Sequence, residues 1–195
     1  MKRFLIFVPI FLVCVLIITS ITPVVTMSEN ISKNVFRLHI IANSNSDEDQ
    51  QLKLLVRDKV LQYSQNLYSS CKSVEDAINI SEKHLSDLKD VAQKTIAFNG
   101  HSEEAKVFVT KEYFSTRHYD GFTLPAGEYN TLKIEIGNAK GHNWWCVMFP
   151  TVCLSGCTED FEDTLTEDEQ NMIESRGYAV RFKAVEIYEK VKSLL

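Results

Sequence analysis

The sequence predicts an α+β fold: a hydrophobic N-terminal segment, then one domain whose antiparallel sheet packs with two or three helices, roughly β-α-α-β-β-β-α. Two observations carry this. Two stretches with apolar residues at helical spacing adjoin in the first half, and short strands with turn signals between them follow in the second. Composition agrees: 45% apolar and 24% charged residues describe an ordinary globular chain.

Residues 1–27 read as a signal peptide or signal-anchor helix. Lys2 and Arg3 precede an apolar run from Phe4 to Ile21, broken only by Thr19 and Ser20, and no acid appears before Glu29. The run of about 18 residues is at the short limit for crossing a bilayer, so length does not separate the two readings. Val24-Val25-Thr26 fits a cleavage site poorly, which favours a retained anchor. Residues 28–34 are polar and read as a short stalk. Residues 35–195 form the single domain.

Val35–Ala42 reads as the first strand, with Phe36, Leu38, Ile40 and Ala42 on one face and Val35, Arg37, His39 and Ile41 on the other. Ser46 is a suitable N-cap, followed by Asp47, Glu48 and Asp49 where the helix dipole favours negative charge. Leu52, Leu55, Val56, Val60, Tyr63 and Leu67 then mark a helical stripe. A second helix is expected from Ser73 to about Phe98, stopped by Asn99-Gly100. Further strands are expected at Ala105–Val109, Thr131–Ile136 and His142–Phe149, with turns at Leu124–Gly127 and Gly137–Gly141. Tyr178–Phe182 reads as another strand, and Ala184–Leu195 as a last helix.

Charge excludes one class of partner. Once the +2 of Lys2 and Arg3 is set aside from the net −5, the rest of the chain carries −7, with no basic surface for nucleic acid. Eight acids between Glu159 and Glu174 fall in an acidic loop at about 158–174, read as a solvated loop and helix start.

The segment Asn143-Trp144-Trp145-Cys146-Val147-Met148-Phe149 carries apolar residues on both faces of a strand, so both must be covered. Helices on one side and the C-terminal segment on the other would do this; an aromatic face left for a partner is the functional alternative. His142, Cys146, Cys153 and Cys157 could be imagined as zinc ligands, but the spacing lacks C-x2-C pairs and no metal site is assigned. In an exported domain Cys146–Cys153 is read as a disulfide closing a short loop around Pro150, against the alternative of buried free thiols. Cys146 and His142 lie about 13 Å apart along a strand, too far for a nucleophile pair. His39 beside Arg37 is a proton-carrier candidate, with a structural histidine as the plainer reading. No nucleophile elbow, phosphate loop, H-E-x-x-H or paired-carboxylate signature occurs, so no catalytic residue and no cofactor is assigned.

Arg37-Leu38-His39-Ile40-Ile41-Ala42-Asn43-Ser44-Asn45-Ser46-Asp47, with Asp49-Gln50-Gln51-Leu52-Lys53 and Val56-Arg57-Asp58, resembles the stage II sporulation protein R family of endospore-forming bacteria. Leu124-Pro125-Ala126-Gly127-Glu128-Tyr129, Asn143–Pro150 with Cys153, and Val180-Arg181-Phe182-Lys183 are similar too. Phe114-Ser115-Thr116-Arg117 stands where a Phe-Pro-Thr element is expected, and Thr151-Val152 also departs from the pattern.

The resemblance implies a signalling protein rather than an enzyme. Members are exported across the forespore membrane into the intermembrane space, anchored or released. There they activate a membrane-embedded aspartic protease of the mother cell that processes the pro-form of sigma-E. The partners implied are that protease and, through the N-terminal segment, the membrane; no small-molecule substrate is expected. The docking surface is expected to use Arg37, His39, Asn43, Asp47 and whichever of Trp144 and Trp145 is exposed. The rival reading is an exported hydrolase acting on the cell wall, in which His39 or Asp58 would be essential.

Overall fold

The computed structural model describes residues 2–119, 121–150, 164–174 and 179–192. The fold is mixed α and β, divided into two compact units. One comprises residues 33–112 and 128–165; the other comprises 1–32, 113–127 and 166–195.

The first unit holds strand β1 (Phe36–Ile41), helices α2 (Asp47–Tyr68), α3 (Val74–Lys83) and α4 (Leu85–Phe98), most of strands β2 (Ala105–Phe114) and β5 (Gly127–Ile136), and strand β6 (Asn143–Phe149). The sheet runs in the order β2-β5-β1-β6. It is not the antiparallel sheet expected, because β1 pairs parallel with β5 and antiparallel with β6. Three helices and three strands lie between β1 and β5 in the chain, long enough for a return in the same direction.

Leu38 and Ile40 meet Leu132 and Ile134 across the β1–β5 ladder. Together with Phe36, Cys146 and Met148 they form a buried core with Leu52, Val56 and Val60 of α2 and Leu88, Ala92 and Ile96 of α4. In the β1–β6 ladder Phe36 faces Phe149 while Arg37 faces Val147. Met148 is thus an extra residue, a bulge that turns both Met148 and Phe149 into the core.

Ser46 caps α2 as expected, its hydroxyl accepting from the Asp49 amide at 3.2 Å. The long second helix is instead two, α3 and α4, joined at His84, whose backbone leaves the helical region at φ −108°, ψ 18°. Ser73 caps α3, and Gly100, at φ +82°, ends α4 with its amide on the Ala97 carbonyl. Tyr68 is buried edge-on to Phe36, its hydroxyl 2.7 Å from Ser81 Oγ; burial pushes that phenol up to about 12.

The second unit holds α1 (Lys2–Lys33), the end of β2, the hairpin of β3 (Arg117–His118) and β4 (Thr123–Leu124), and helices α5 (Glu167–Glu174) and α6 (Ala179–Lys192). Thr19 and Ser20 do not interrupt α1, because both hydroxyls bond back to carbonyls of the preceding turn. Among the described residues no helix is long and apolar enough to cross a membrane. The stalk expected at 28–34 is helical to Lys33, with Ser28 and Ile31 buried.

Half of the acidic stretch is helix α5, opened by Thr166, whose hydroxyl and amide exchange hydrogen bonds with Glu169. The strand expected at 178–182 is a correction: Ala179–Lys192 is one helix. Phe182, Val185 and Glu189 are buried at helical spacing, and that longer periodicity overrides the short alternation. Lys192 Nζ reaches Glu29 Oε1 at 2.9 Å, fastening α6 to α1.

Candidate functional site

The sheet face turned away from the helices carries the polar residues of the strands. At its centre is His39 of β1. Its Nδ1 lies 2.7 Å from Glu112 Oε2 on β2, and its Nε2 lies 2.9 Å from Asn143 Oδ1 on β6. The ring stacks on Trp145, with centroids 5.7 Å apart and planes at 28°. Lys133 of β5, opposite His39 in the parallel ladder, donates to Glu112 Oε1 at 2.6 Å and lies 3.5 Å from Glu135. Four strands are therefore pinned by one polar cluster.

Its electrostatics are set by two opposed effects. Burial pushes the Glu112 carboxyl up, but hydrogen bonds from Lys133 and His39 outweigh it and hold the group below the usual glutamate value. Burial likewise favours neutral Lys133, but the Glu112 hydrogen bond and charge, with Glu135, hold the amine above its usual value.

Two residues along β1 on the same face, Arg37 is fully buried, its guanidinium 4.8 Å from the centre of the Tyr129 ring. Its side chain presents no surface to a partner, which corrects the expectation placed on it. His39 is 8% exposed, so what it offers is mainly the orientation of its neighbours. Trp144 and Trp145 are both half-buried, on opposite faces of β6. Trp144 packs against the helix-side core with the Arg57 guanidinium 4.3 Å over its ring. Trp145 lies on the polar face, stacked on His39.

The loop between β1 and α2 adjoins this face. Asn43 Oδ1 accepts from the Asn138 amide at 2.9 Å, and the Asn43 carbonyl accepts from Lys140 N at 3.2 Å. Asn43 Nδ2 and Ser44 Oγ both donate to Asp49 Oδ2. The Ser44 hydrogen bond, with those from Asn43 and Ser46, holds the Asp49 carboxyl below its usual value despite burial. Lys53 Nζ bridges Gln50 Oε1 and the His142 carbonyl at 2.6 and 2.9 Å. Asn43 is thus a clamp between two loops, while Asp47 remains exposed at the start of α2.

Two glycines permit this approach. Gly137, at φ +57°, would place a Cβ 2.4 Å from Asn43 Oδ1; at Gly141 a Cβ would sit 2.1 Å from the Ser44 carbonyl oxygen.

Cys146 is disulfide-bonded and so provides no zinc thiolate. Cys153 and Cys157 lie outside the described residues, and with them the expected Cys146–Cys153 pairing. The two residues of the hydrolase reading are not brought together. Asp58 pairs with Arg57 on α2, across the sheet from His39, and both His39 ring nitrogens are engaged. Sequence reasoning missed Glu112, which lies beyond the strand expected at Ala105–Val109, and Lys133, whose place opposite His39 depends on the parallel β1–β5 register.

No solved structure matches this chain. It is 38% identical over 124 residues to stage II sporulation protein R of Bacillus subtilis (strain 168). The match covers 64% of this chain and 55% of the relative, so the chain aligns with about half of that protein's length. The family model described as stage II sporulation protein R matches residues 32–159, from the end of α1 through β6. That segment contains the whole His39 cluster and the Asn43 clamp, and the chain belongs to the stage II sporulation protein R family.

Proposed function

We propose that this chain is an exported sporulation signal that docks on a membrane-embedded aspartic protease and so activates processing of pro-sigma-E. The observation that carries this reading is family membership over residues 32–159, which gives the chain a role in sporulation. The finer steps rest on the sequence. Lys2 and Arg3 before an apolar run support export from the forespore, and exposed Phe7, Phe11 and Leu16 on α1 support an apolar environment for that helix.

The proposed mechanism is docking without catalysis. The protein shifts its receptor toward the active state only if its surface binds that state more tightly. A rigid surface suits this task, because ordering on binding would consume affinity. The clamp around Asn43 and the four-strand polar cluster supply that rigidity, while Asp47 and the half-buried Trp145 supply contacts. We assign no chemical step to His39.

The test is co-expression of this chain with the receptor protease and pro-sigma-E in a non-sporulating host. The expected result is the shortened sigma factor only when all three are present. Unprocessed sigma factor, with the chain exported and folded, contradicts the proposal.

A further inference from the structure

Beside the clamp, three potential ligands converge from two chain segments: Asp49 in the first turn of α2, and His101 and Glu103 in the loop between α4 and β2. One ligand atom from each lies within 4.8 Å of the other two. Asp49 is buried, and the His101 and Glu103 side chains are only 14% and 24% exposed, so this is not a solvated acidic patch. His101 Nδ1 lies 3.4 Å from Glu103 Oε2, and Nε2 lies 3.5 Å from Glu48 Oε1.

We infer that Asp49, His101 and Glu103 form a binding site for one divalent transition cation, Zn²⁺ foremost. One imidazole with two carboxylates suits Zn²⁺ better than the all-oxygen surroundings favoured by Mg²⁺ or Ca²⁺. Ligand atoms of a tetrahedral zinc stand about 3.3 Å apart, from bonds of about 2.0–2.1 Å. The present spacing needs only side-chain closure of about 1.5 Å at most to reach it, and water completes the set.

The Asp49 carboxylate is already oriented for the role. Ser44 Oγ and Asn43 Nδ2 both donate to its Oδ2, the kind of outer hydrogen bonding that fixes ligating carboxylates. Two carboxylates balance the charge of the ion, offsetting the unfavourable positive end of α2. A bound ion would tie the α4–β2 loop to the start of α2 and stiffen the segment carrying Asp47. The site stands on this geometry and does not depend on the signalling role.

The experiment titrates Zn²⁺ into the full chain in mild detergent, by calorimetry and thermal melting, with Co²⁺ as a spectroscopic stand-in. One equivalent should bind and raise the melting temperature. His101→Ala should weaken binding more than about 100-fold, Glu103→Gln at least about tenfold, and Ser44→Ala about tenfold through loss of orientation. His142→Ala, at an exposed residue outside the cluster, should bind as the parent does. The Co²⁺ spectrum should show d–d bands without thiolate charge transfer, separating this site from binding at Cys71. No saturable binding overturns the inference. So does binding that survives His101→Ala and Glu103→Gln, or a thiolate band. Circular dichroism of each variant confirms its fold, and the Ser44→Ala comparison reads the site with all three ligands intact.

Discussion

Replacing Glu112 with glutamine probes the polar cluster most sharply, since the side chain keeps its shape and loses its charge. Glu112 receives hydrogen bonds from Lys133 Nζ at 2.6 Å and His39 Nδ1 at 2.7 Å. A glutamine offers one carbonyl oxygen and one amide nitrogen, so one of the two donors would face another donor. A hydrogen bond to a charged group contributes about 1.5–3 kcal/mol net. The side chains of Glu112 and Lys133 are 20% and 17% exposed, so water compensates in part and the low end applies. The expected loss is about 1.5–2 kcal/mol at neutral pH, or about 3–8 °C in melting temperature for a chain of this size.

The pH dependence has a definite sign. The carboxyl of Glu112 is depressed in the fold, so its stabilisation is present above the unfolded glutamate value. It is lost as pH falls through the folded value. The gap between parent and Glu112→Gln should therefore close in acid. Urea unfolding at both pH values measures it, with the slope of the transition as the check on cooperativity. A double-mutant cycle with Lys133→Met should return a coupling of about 1–2 kcal/mol. A loss under about 0.5 kcal/mol at neutral pH, or a gap unchanged in acid, would mean that the Glu112 charge does not stabilise the cluster.

Three further outcomes follow from the geometry. Gly141→Ala should cost at least about 2 kcal/mol, because its Cβ would meet the Ser44 backbone oxygen and neither chain segment can move away cheaply; thermal melting reads it. Asp49→Asn should lose about 1–2 kcal/mol at neutral pH through the Ser44 and Asn43 hydrogen bonds, and the difference should shrink as acid protonates the parent's lowered carboxyl. Asp47→Lys should change stability by less than about 1 kcal/mol, since the side chain is exposed, yet lower sigma-factor processing in the co-expression assay.

Much of the helix-side core was legible because it rests on local periodicity. The alternation of Phe36, Leu38 and Ile40 and the Ser46 cap appear in the structure as read; of the α2 stripe, Leu52, Val56 and Val60 are buried in the core, Tyr63 and Leu67 pack against it half-buried, and Leu55 is exposed. The doubly apolar run at Trp144–Phe149 correctly implied a strand covered on both faces, and the Met148 bulge adds a residue that alternation could not show. The parallel β1–β5 pairing was not legible, since it joins residues about ninety positions apart and leaves no local mark.

The same holds for the site. His39 was singled out, but Glu112 lies 73 residues away and only the sheet order brings the two together. Arg37 looked like a surface residue because arginine usually is one. It is buried against Tyr129, a neighbour that strand register alone determines. The break at His84 was hidden because no glycine or proline stands between Ser73 and Phe98 to mark it.

The proposed route, in which the chain leaves the cell that makes it and triggers processing in the neighbour, is open to a direct test by blocking export. The pair Leu12→Arg and Val13→Arg places two charges in the apolar run, each costing about 2.5–3.5 kcal/mol in a membrane-inserted helix. The expected result is a chain retained in the cytoplasm and no processed sigma factor. Restoring export with an unrelated signal sequence should restore processing. Full processing by the retained chain would show that export is not required.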